Sequence, residues 1–349
     1  MFQTIVKIFL LVIITAAITP FIRKLAFVLG AVDNPNARRI NKKPMPTIGG
    51  LAIFVAFNIG EFVLLRKDFP THELFSVLLA SSVIILTGLI DDILELKPRQ
   101  KMFGIFVASL VVYFLAGIKV RELSLPFLGH IQLGWWSFPL TIFWILALTN
   151  AVNLIDGLDG LATGVTLISL VTMGIVGFFF LKSWQHYVPI MCIMLAACLL
   201  GFLPYNFHPA KIFLGDTGAL YIGFMISVLS LKGLKNVTFV SLLVPILILG
   251  VPITDTVYAM IRRKLNKKNI SQADKHHLHH QLMRMGLSHR QTVLAIYGIS
   301  LIFSFVSLLS LVSPRWGIWL LILGLLFAVE LFVETIGLLG EKYKPVREQ

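Results

Sequence analysis

Apolar residues along this chain fall in long runs separated by short polar stretches. A helix that crosses a bilayer needs roughly 20 mostly apolar residues. About eleven runs approach that length, at residues 4–27, 48–65, 73–90, 102–117, 137–151, 158–181, 188–203, 217–231, 238–261, 292–312 and 316–338. Several are short and predict tilted helices or helices with a polar partner. The first run lacks a small-residue cleavage site and reads as an anchor. The stretches between runs are too short for a separate soluble unit, so residues 1–349 are expected to form one integral-membrane domain. Residues 119–136 differ. Val120, Leu123 and Leu125, then Ile131 and Leu133, alternate loosely around Gly129, and the stretch ends at Trp135 and Trp136. This predicts a short β-hairpin closed by interfacial aromatics. The expected class is an all-α polytopic membrane protein with that one hairpin.

Composition narrows the class. Apolar residues make up 57% and charged residues 13%, about half the charged share of a soluble domain. That leaves too little polar surface to coat a globule, and it also excludes disorder, a coiled coil and a disulfide scaffold. Cys192 and Cys198 lie in one apolar run and read as packing residues. The net charge of +13 would suggest nucleic acid in a soluble protein. Here the basic residues cluster between apolar runs, so the lipid bilayer and its anionic headgroups are the expected partner, and nucleic acid is not. Most lysines and arginines follow odd-numbered runs. The positive-inside rule then places the N-terminus outside and the C-terminus in the cytoplasm of a plasma or inner membrane.

Polar residues beside apolar spans are costly and mark function. On the side read as cytoplasmic lie Lys43 and Thr47, Asp91 and Asp92, then Asn150, Asn153, Asp156 and Asp159, then Asn206, Phe213 and Asp216, and then a histidine cluster. Their common side predicts one assembled site. Adjacent carboxylates suit Mg²⁺ and a phosphate-bearing substrate. Residues 150–159 carry a polar side chain every third position, which places neighbours on one helix face. Gly160 and Gly164 read alternatively as a helix-packing pair. Asp216 or Thr217 reads either as a cap of the following helix or, for Asp216, as a metal ligand beside a phosphate-binding helix start. Phe213 suits stacking on a base. His276, His277, His279, His280 and His289 lack a cysteine partner, and phosphate or sugar recognition fits them better than zinc. Asp255, Glu330 and Glu334, inside apolar runs, read as packed polar groups or as a proton path.

The segments KKPMPTIGG, GLIDDILELKPRQK, NAVNLIDGLDGLATG, PYNFHPAKIFLGDTGALYIG and HHLHHQL together resemble the polyprenyl-phosphate N-acetylhexosamine-1-phosphate transferases. The resemblance runs nearly end to end. It implies an enzyme that moves a sugar 1-phosphate from a UDP-sugar to undecaprenyl phosphate on the cytoplasmic face, needs Mg²⁺ (with Mn²⁺ as a substitute) and releases UMP. By position it implies Asp216 as metal ligand with Asn153 as a second contact. It implies Asp91 and Asp92 as the catalytic pair and Lys101 as a catalytic lysine near the phosphates. Lys43, Asp159, Asn206 and Phe213 fall on the uridine side, and Thr47, Asn150, Asp156, His277, His279 and His280 on further substrate-binding positions. The His277-Leu278-His279-His280 spacing is similar to the WecA/TagO-like branch, whose donor is UDP-GlcNAc. The peptidoglycan branch, which takes UDP-N-acetylmuramoyl-pentapeptide, is the alternative. Where the first branch commonly carries arginine before the histidines this chain has Lys275, which binds a diphosphate without the bidentate fork. Members are often homodimers. The product would begin an envelope glycan such as a teichoic acid linkage unit or an O-antigen.

A phosphate monoester is mostly dianionic at pH 7, so a general base is a modest requirement and charge neutralisation the larger one. Lys101 and the histidine segment are expected to supply positive charge. A single in-line displacement and a covalent aspartyl intermediate both fit the sequence. A transporter would place its site near the midplane on repeated halves, and a membrane phosphatase would release free phosphate. Neither fits the one-sided polar clusters as well.

Overall fold

A computed structural model describes residues 2–33, 44–64, 71–125, 129–180, 187–233, 237–265 and 277–335. The chain begins with α1 (Phe2–Leu29), followed by β1 (Val32–Asp33) and β2 (Met45–Pro46), which pair antiparallel. Helix α2 (Gly50–Ile59) runs into one π-helical turn at 60–64, and α3 (Thr71–Leu94) and α4 (Pro98–Phe114) follow. Strands β3 (Glu122–Leu125) and β4 (Gly129–Gln132) precede α5 (Ser137–Leu154), α6 (Leu161–Phe179), α7 (Tyr187–Asn206) and α8 (Gly215–Gly233). Then come β5 (Val237–Thr238), α9 (Phe239–Ile248), α10 (Gly250–Leu265), α11 (Leu278–Arg284), α12 (His289–Val312) and α13 (Arg315–Thr335).

Every apolar run becomes helix, but the count of membrane-crossing helices differs from the expectation. Seven helices among the described residues are long and apolar enough to cross a membrane alone. The run at 48–65 is a shorter apolar helix with an irregular end. The run at 238–261 is two helices. Pro252 has no N–H for the Ile248 carbonyl, and its ring would clash there, so the helix stops at Ile248 and restarts at Gly250. Local signals set other ends. Pro98 stands at the first position of α4, where its missing N–H is harmless. Ser288 and Gln291 form a reciprocal cap on α12.

Helix α8 is the axis of the bundle. It packs against α2, α3, α5, α6 and α7, and Ala219, Leu220, Tyr221, Ile222 and Phe224 are fully buried. A helix apolar all round belongs at such a centre. The outer helices turn large apolar side chains outward, among them Phe9, Phe21, Leu320, Leu323 and Phe327, as lipid contact requires. At the end of α8 away from Asp216, Lys232 is buried against Glu73 at 2.6 Å, and the Tyr187 hydroxyl donates to Glu73 at 2.7 Å.

The predicted hairpin is present, with β3 and β4 antiparallel and Glu122 opposite Gln132. A third strand, β5, joins β3 in parallel. Two residues of strand inside an apolar run give no periodic signal, so the sequence did not indicate it. Trp135 and Trp136 are exposed beside the hairpin.

The start of α8 depends on Gly215. Its φ is +69°, and a Cβ there would lie 1.6 Å from the Thr47 carbonyl oxygen. Gly215→Ala is therefore expected to cost at least about 1–2 kcal/mol from the backbone alone, and more from the clash. A lowered thermal midpoint in detergent would report it. An unchanged midpoint would contradict this packing.

Candidate active site

The last turn of α3 ends with two adjacent acids. Negative charge is unfavourable at a helix C-terminus, and the structure shows what compensates it. Asp92 reaches across to the first turn of α8. Its Oδ1 accepts the Asp216 N–H at 3.0 Å, and its Oδ2 accepts the Thr217 N–H at 3.0 Å and the Thr217 hydroxyl at 2.6 Å. The first N–H groups of a helix have no partner within it. Asp92 supplies one from another helix, so neither Asp216 nor Thr217 serves as the cap.

Asp91 is turned the other way and is buried. Its Oδ1 accepts the Leu96 N–H at 2.7 Å and its Oδ2 meets the Lys101 ammonium at 2.6 Å. The same ammonium lies 2.9 Å from Asp216 Oδ1. The Asn153 amide also donates to Asp216 Oδ1. Side chains of α4 and α5 therefore converge on one carboxylate of α8, while Asp92 of α3 holds the backbone beneath it.

These groups open into a cavity of about 490 Å³. Its wall gathers Thr47, Asp92, Lys101, Asn153, Asp156, Asp159, Asn206, Phe213 and Asp216, nine of the residues singled out in the sequence. Helix α5 ends at Leu154, so the every-third-residue spacing continues past the helix. Asp156 and Asp159 reach the cavity because the chain turns, not because they share a helix face. Asn150 stays on α5 outside that wall. Its amide donates to the Leu146 carbonyl at 2.7 Å and lies 3.1 Å from Met102 Sδ. Lys43 lies outside the described residues.

The walls are tied internally. Asn206 accepts from the Thr163 hydroxyl at 2.7 Å and donates to the Ile212 carbonyl at 3.2 Å, which holds the loop into α8. The Phe213 N–H donates to Pro46 O, and the Phe213 carbonyl accepts from Gly49, so the ring is carried on a clamped backbone. The Thr47 hydroxyl donates to Ala31 O at 3.1 Å. Asp159 Oδ2 accepts from the Ala210 N–H at 3.1 Å and pairs with His208 Nδ1 at 2.9 Å.

Asp159, His208 and His289 approach metal-ligand spacing. The two imidazoles, however, stack at 4.1 Å with planes 20° apart. Ring lone pairs lie in the ring plane, so those of stacked rings run nearly parallel instead of converging on one ion. The cluster fastens the loop to α12, helped by the Arg290 side chain donating to the His208 carbonyl at 3.1 Å.

The histidine segment packs on the same structure from another side. A Cβ on Gly157 would lie 2.4 Å from the His279 ring, so that ring rests against the cavity wall. Burial, reinforced by His280, holds the His279 imidazole down to about 3. A ring held there carries no charge near neutral pH, so His279 does not supply the positive charge expected of the histidine segment. His277 pairs with Asp255, and Tyr258 donates to Glu330 at 2.6 Å. Asp255 and Glu330 therefore have polar partners, as the packed reading of these acids expects.

The sequence reading passed over Asp33 as a wall residue, and it gave His208 and Asp255 no role in this region. Nothing in their neighbouring residues announces a role. Each is brought in by pairing with a distant segment.

The donor chemistry fits a hard divalent cation. Burial first, then the charges of Asp216, Asp92 and Asp159, push Asp156 well above the ordinary carboxylate range. Carboxylate and carboxamide oxygens suit Mg²⁺.

Comparison with known proteins identifies the family. Residues 74–234 match the family described as glycosyl transferase family 4, a stretch that holds α3 to α8 and most of the cavity. The chain is 43% identical over 94% of its length to a Bacillus subtilis protein described as a "Probable undecaprenyl-phosphate N-acetylglucosaminyl 1-phosphate transferase", covering 90% of that relative. It is 34% identical over 82% of its length to the decaprenyl-phosphate N-acetylglucosaminephosphotransferase of Mycolicibacterium smegmatis, covering 76% of it. It is 32% identical over 84% of its length to the phospho-N-acetylmuramoyl-pentapeptide-transferase of Clostridium botulinum, covering 90% of it. Similarity of that extent, spanning the residues that build the cavity, makes this chain a member of glycosyl transferase family 4.

Proposed function

We propose that the protein transfers N-acetylglucosamine 1-phosphate from UDP-GlcNAc to undecaprenyl phosphate, releasing UMP and forming undecaprenyl-diphospho-GlcNAc. The observation that carries the reading is the Lys101 ammonium held between Asp91 and Asp216, in a polar cavity at the N-terminal end of a buried helix. Anionic phosphates need such a cation. The donor sugar is supported by the higher identity to the N-acetylglucosamine-phosphate transferase of B. subtilis than to the muramoyl-pentapeptide enzyme, and by the histidine spacing. The distribution of lysine and arginine supports a cytoplasmic site, with the N-terminus outside.

In this reading a non-bridging oxygen of the acceptor phosphate attacks the β-phosphorus of UDP-GlcNAc. The bond from that phosphorus to the bridging oxygen breaks, and UMP leaves with the electron pair. Asp216 and Asn153 would hold Mg²⁺, with Asp156 nearby. Bound there, the ion neutralises the diphosphate and stabilises the departing phosphate. Lys101 adds charge that Asp91 orients. Phe213 stacks on the uracil, and Asp159 and Asn206 shape that pocket. Asp92 is occupied by the N-terminus of α8, and Asp91 by Leu96 and Lys101. Neither is presented as a free nucleophile, which favours direct displacement over a covalent aspartyl intermediate.

The test uses purified protein in detergent with Mg²⁺, undecaprenyl phosphate and UDP-GlcNAc, following UMP and radiolabelled lipid. UMP and labelled lipid in equal amounts are expected. Lipid product from UDP-N-acetylmuramoyl-pentapeptide alone would move the protein to that substrate. Intact UDP-sugar in both arms would overturn the transferase reading.

A further inference from the structure

The buried acid Asp255 lies in α10, outside the cavity wall. Its Oδ2 is 2.9 Å from His277 Nδ1, and its Oδ1 accepts the Leu278 N–H at 2.8 Å. Asp255 is 3% exposed and His277 6%. The acid's other surroundings include Val251, Phe303 and Val329, which line a cavity of about 210 Å³ with it. A carboxylate among apolar groups is costly unless it is paired and hydrogen-bonded. Here both oxygens are used, and both on the histidine segment.

That arrangement has two consequences. An ionised carboxylate only accepts, so His277 Nδ1 carries the proton and Nε2 is the ring's remaining polar atom. The same carboxylate also fixes where α11 begins. His277 and His279 are parallel, with planes 4° apart and centroids at 6.1 Å. His279 in turn rests against Gly157 in the wall of the catalytic cavity. A displacement of Asp255 would therefore turn the His277 ring and shift the segment that closes this side of the site.

We infer that Asp255 is a positioning residue, which sets the tautomer and place of His277 so that the segment from His277 to His280 meets a substrate phosphate. The inference rests on the transferase reading above and deepens it. The phosphate belongs either to the sugar nucleotide or to the lipid acceptor, and kinetics separates them.

The test compares wild type, Asp255→Asn, His277→Asn and the double variant, in detergent, with UDP-GlcNAc and undecaprenyl phosphate varied in turn. Asp255→Asn is expected to lower kcat/KM about 10- to 100-fold, by analogy with carboxylates that orient metal-bound imidazoles. The KM that rises identifies whose phosphate the segment meets. The double variant is expected to be no worse than the poorer single one, because both substitutions remove one shared function. Losses that multiply in the double variant would make Asp255 a structural residue acting independently of His277 and would overturn the proposal. So would wild-type kinetics in Asp255→Asn. Each variant is checked for a monodisperse peak and its thermal midpoint. If Asp255→Asn does not fold, Asp255→Glu, which keeps the carboxylate one methylene further out, carries the same comparison. A wild-type protein that makes no lipid product from either sugar nucleotide would defeat the transferase reading instead, so the two failures are distinct.

Discussion

Asp216→Asn is expected to lower the formation of lipid-linked sugar by at least about 10³-fold, the upper range for removing one preorganised charge-stabilising group. Asp216 of α8 is the point where α3, α4 and α5 meet it, through the cap from Asp92, the Lys101 ammonium and the Asn153 amide. An asparagine there keeps the shape and one acceptor oxygen but removes the charge that a divalent cation needs. The Asp216 side chain does not cap α8, so folding should survive. The expected pattern is an unchanged elution profile, a thermal midpoint within a few degrees of wild type, and lost turnover. Chelation of wild type with EDTA should reproduce that loss, and added Mg²⁺ should reverse it. Turnover within tenfold of wild type in the variant would remove Asp216 from the metal site. EDTA-resistant wild-type activity would remove the metal from the reaction.

The second large effect concerns Asp92. Asp92→Ala is expected to reduce both turnover and stability, because it leaves the Asp216 and Thr217 N–H groups without acceptors. Each buried donor left unsatisfied costs about 1–3 kcal/mol, and a displaced α8 start carries Asp216 away from Lys101. A loss of about 10²-fold or more in kcat is expected, since a 1 Å misplacement alone can cost that much. Thr217→Val removes only the hydroxyl contact and should cost about 1 kcal/mol with a smaller loss of rate. Activity and thermal midpoint should therefore fall together across Asp92→Ala, Asp92→Asn and Thr217→Val. A nucleophilic Asp92 would behave otherwise. Asp92→Asn would then abolish turnover at wild-type stability, and a sugar-phosphate adduct would accumulate on Asp92 when the lipid acceptor is withheld.

Much of this protein is legible in its sequence because the signals are local and large. Runs of apolar residues near twenty long have few alternatives to a membrane helix, and each run is helical here. The β3–β4 hairpin was visible in loose alternation before two tryptophans. The polar clusters were visible because carboxylates and carboxamides are expensive beside apolar spans. Nine of the residues they supplied line one cavity. The break at 249 was also within reach, since Pro252 marks it, but the apolar run on either side masked it.

Pairings between distant segments were not legible. Asp91 and Asp92 are adjacent and chemically identical, yet one turns to Lys101 and the other to the start of α8. Successive residues on a helix point about 100° apart, and only the packing of α3 against both α4 and α8 says what lies in each direction. Asp255 read as an isolated acid until α11 was placed beside it. Asp159, His208 and His289 come together only in the fold, and the stacking of two rings decides against convergence on one ion. His279 read as a source of charge until its burial was known. The sequence by itself determined the membrane class, the hairpin and most of the polar residues that line one cavity, because these follow from hydrophobic run length and the cost of a polar group in apolar surroundings. The tertiary structure alone decided which acid caps a helix, which holds the lysine and which histidine stays neutral. Hydrogen bonding and desolvation are set within a few ångströms, in part by neighbours more than a hundred residues away in the chain, such as Asp216 for Asp92 and Gly157 for His279.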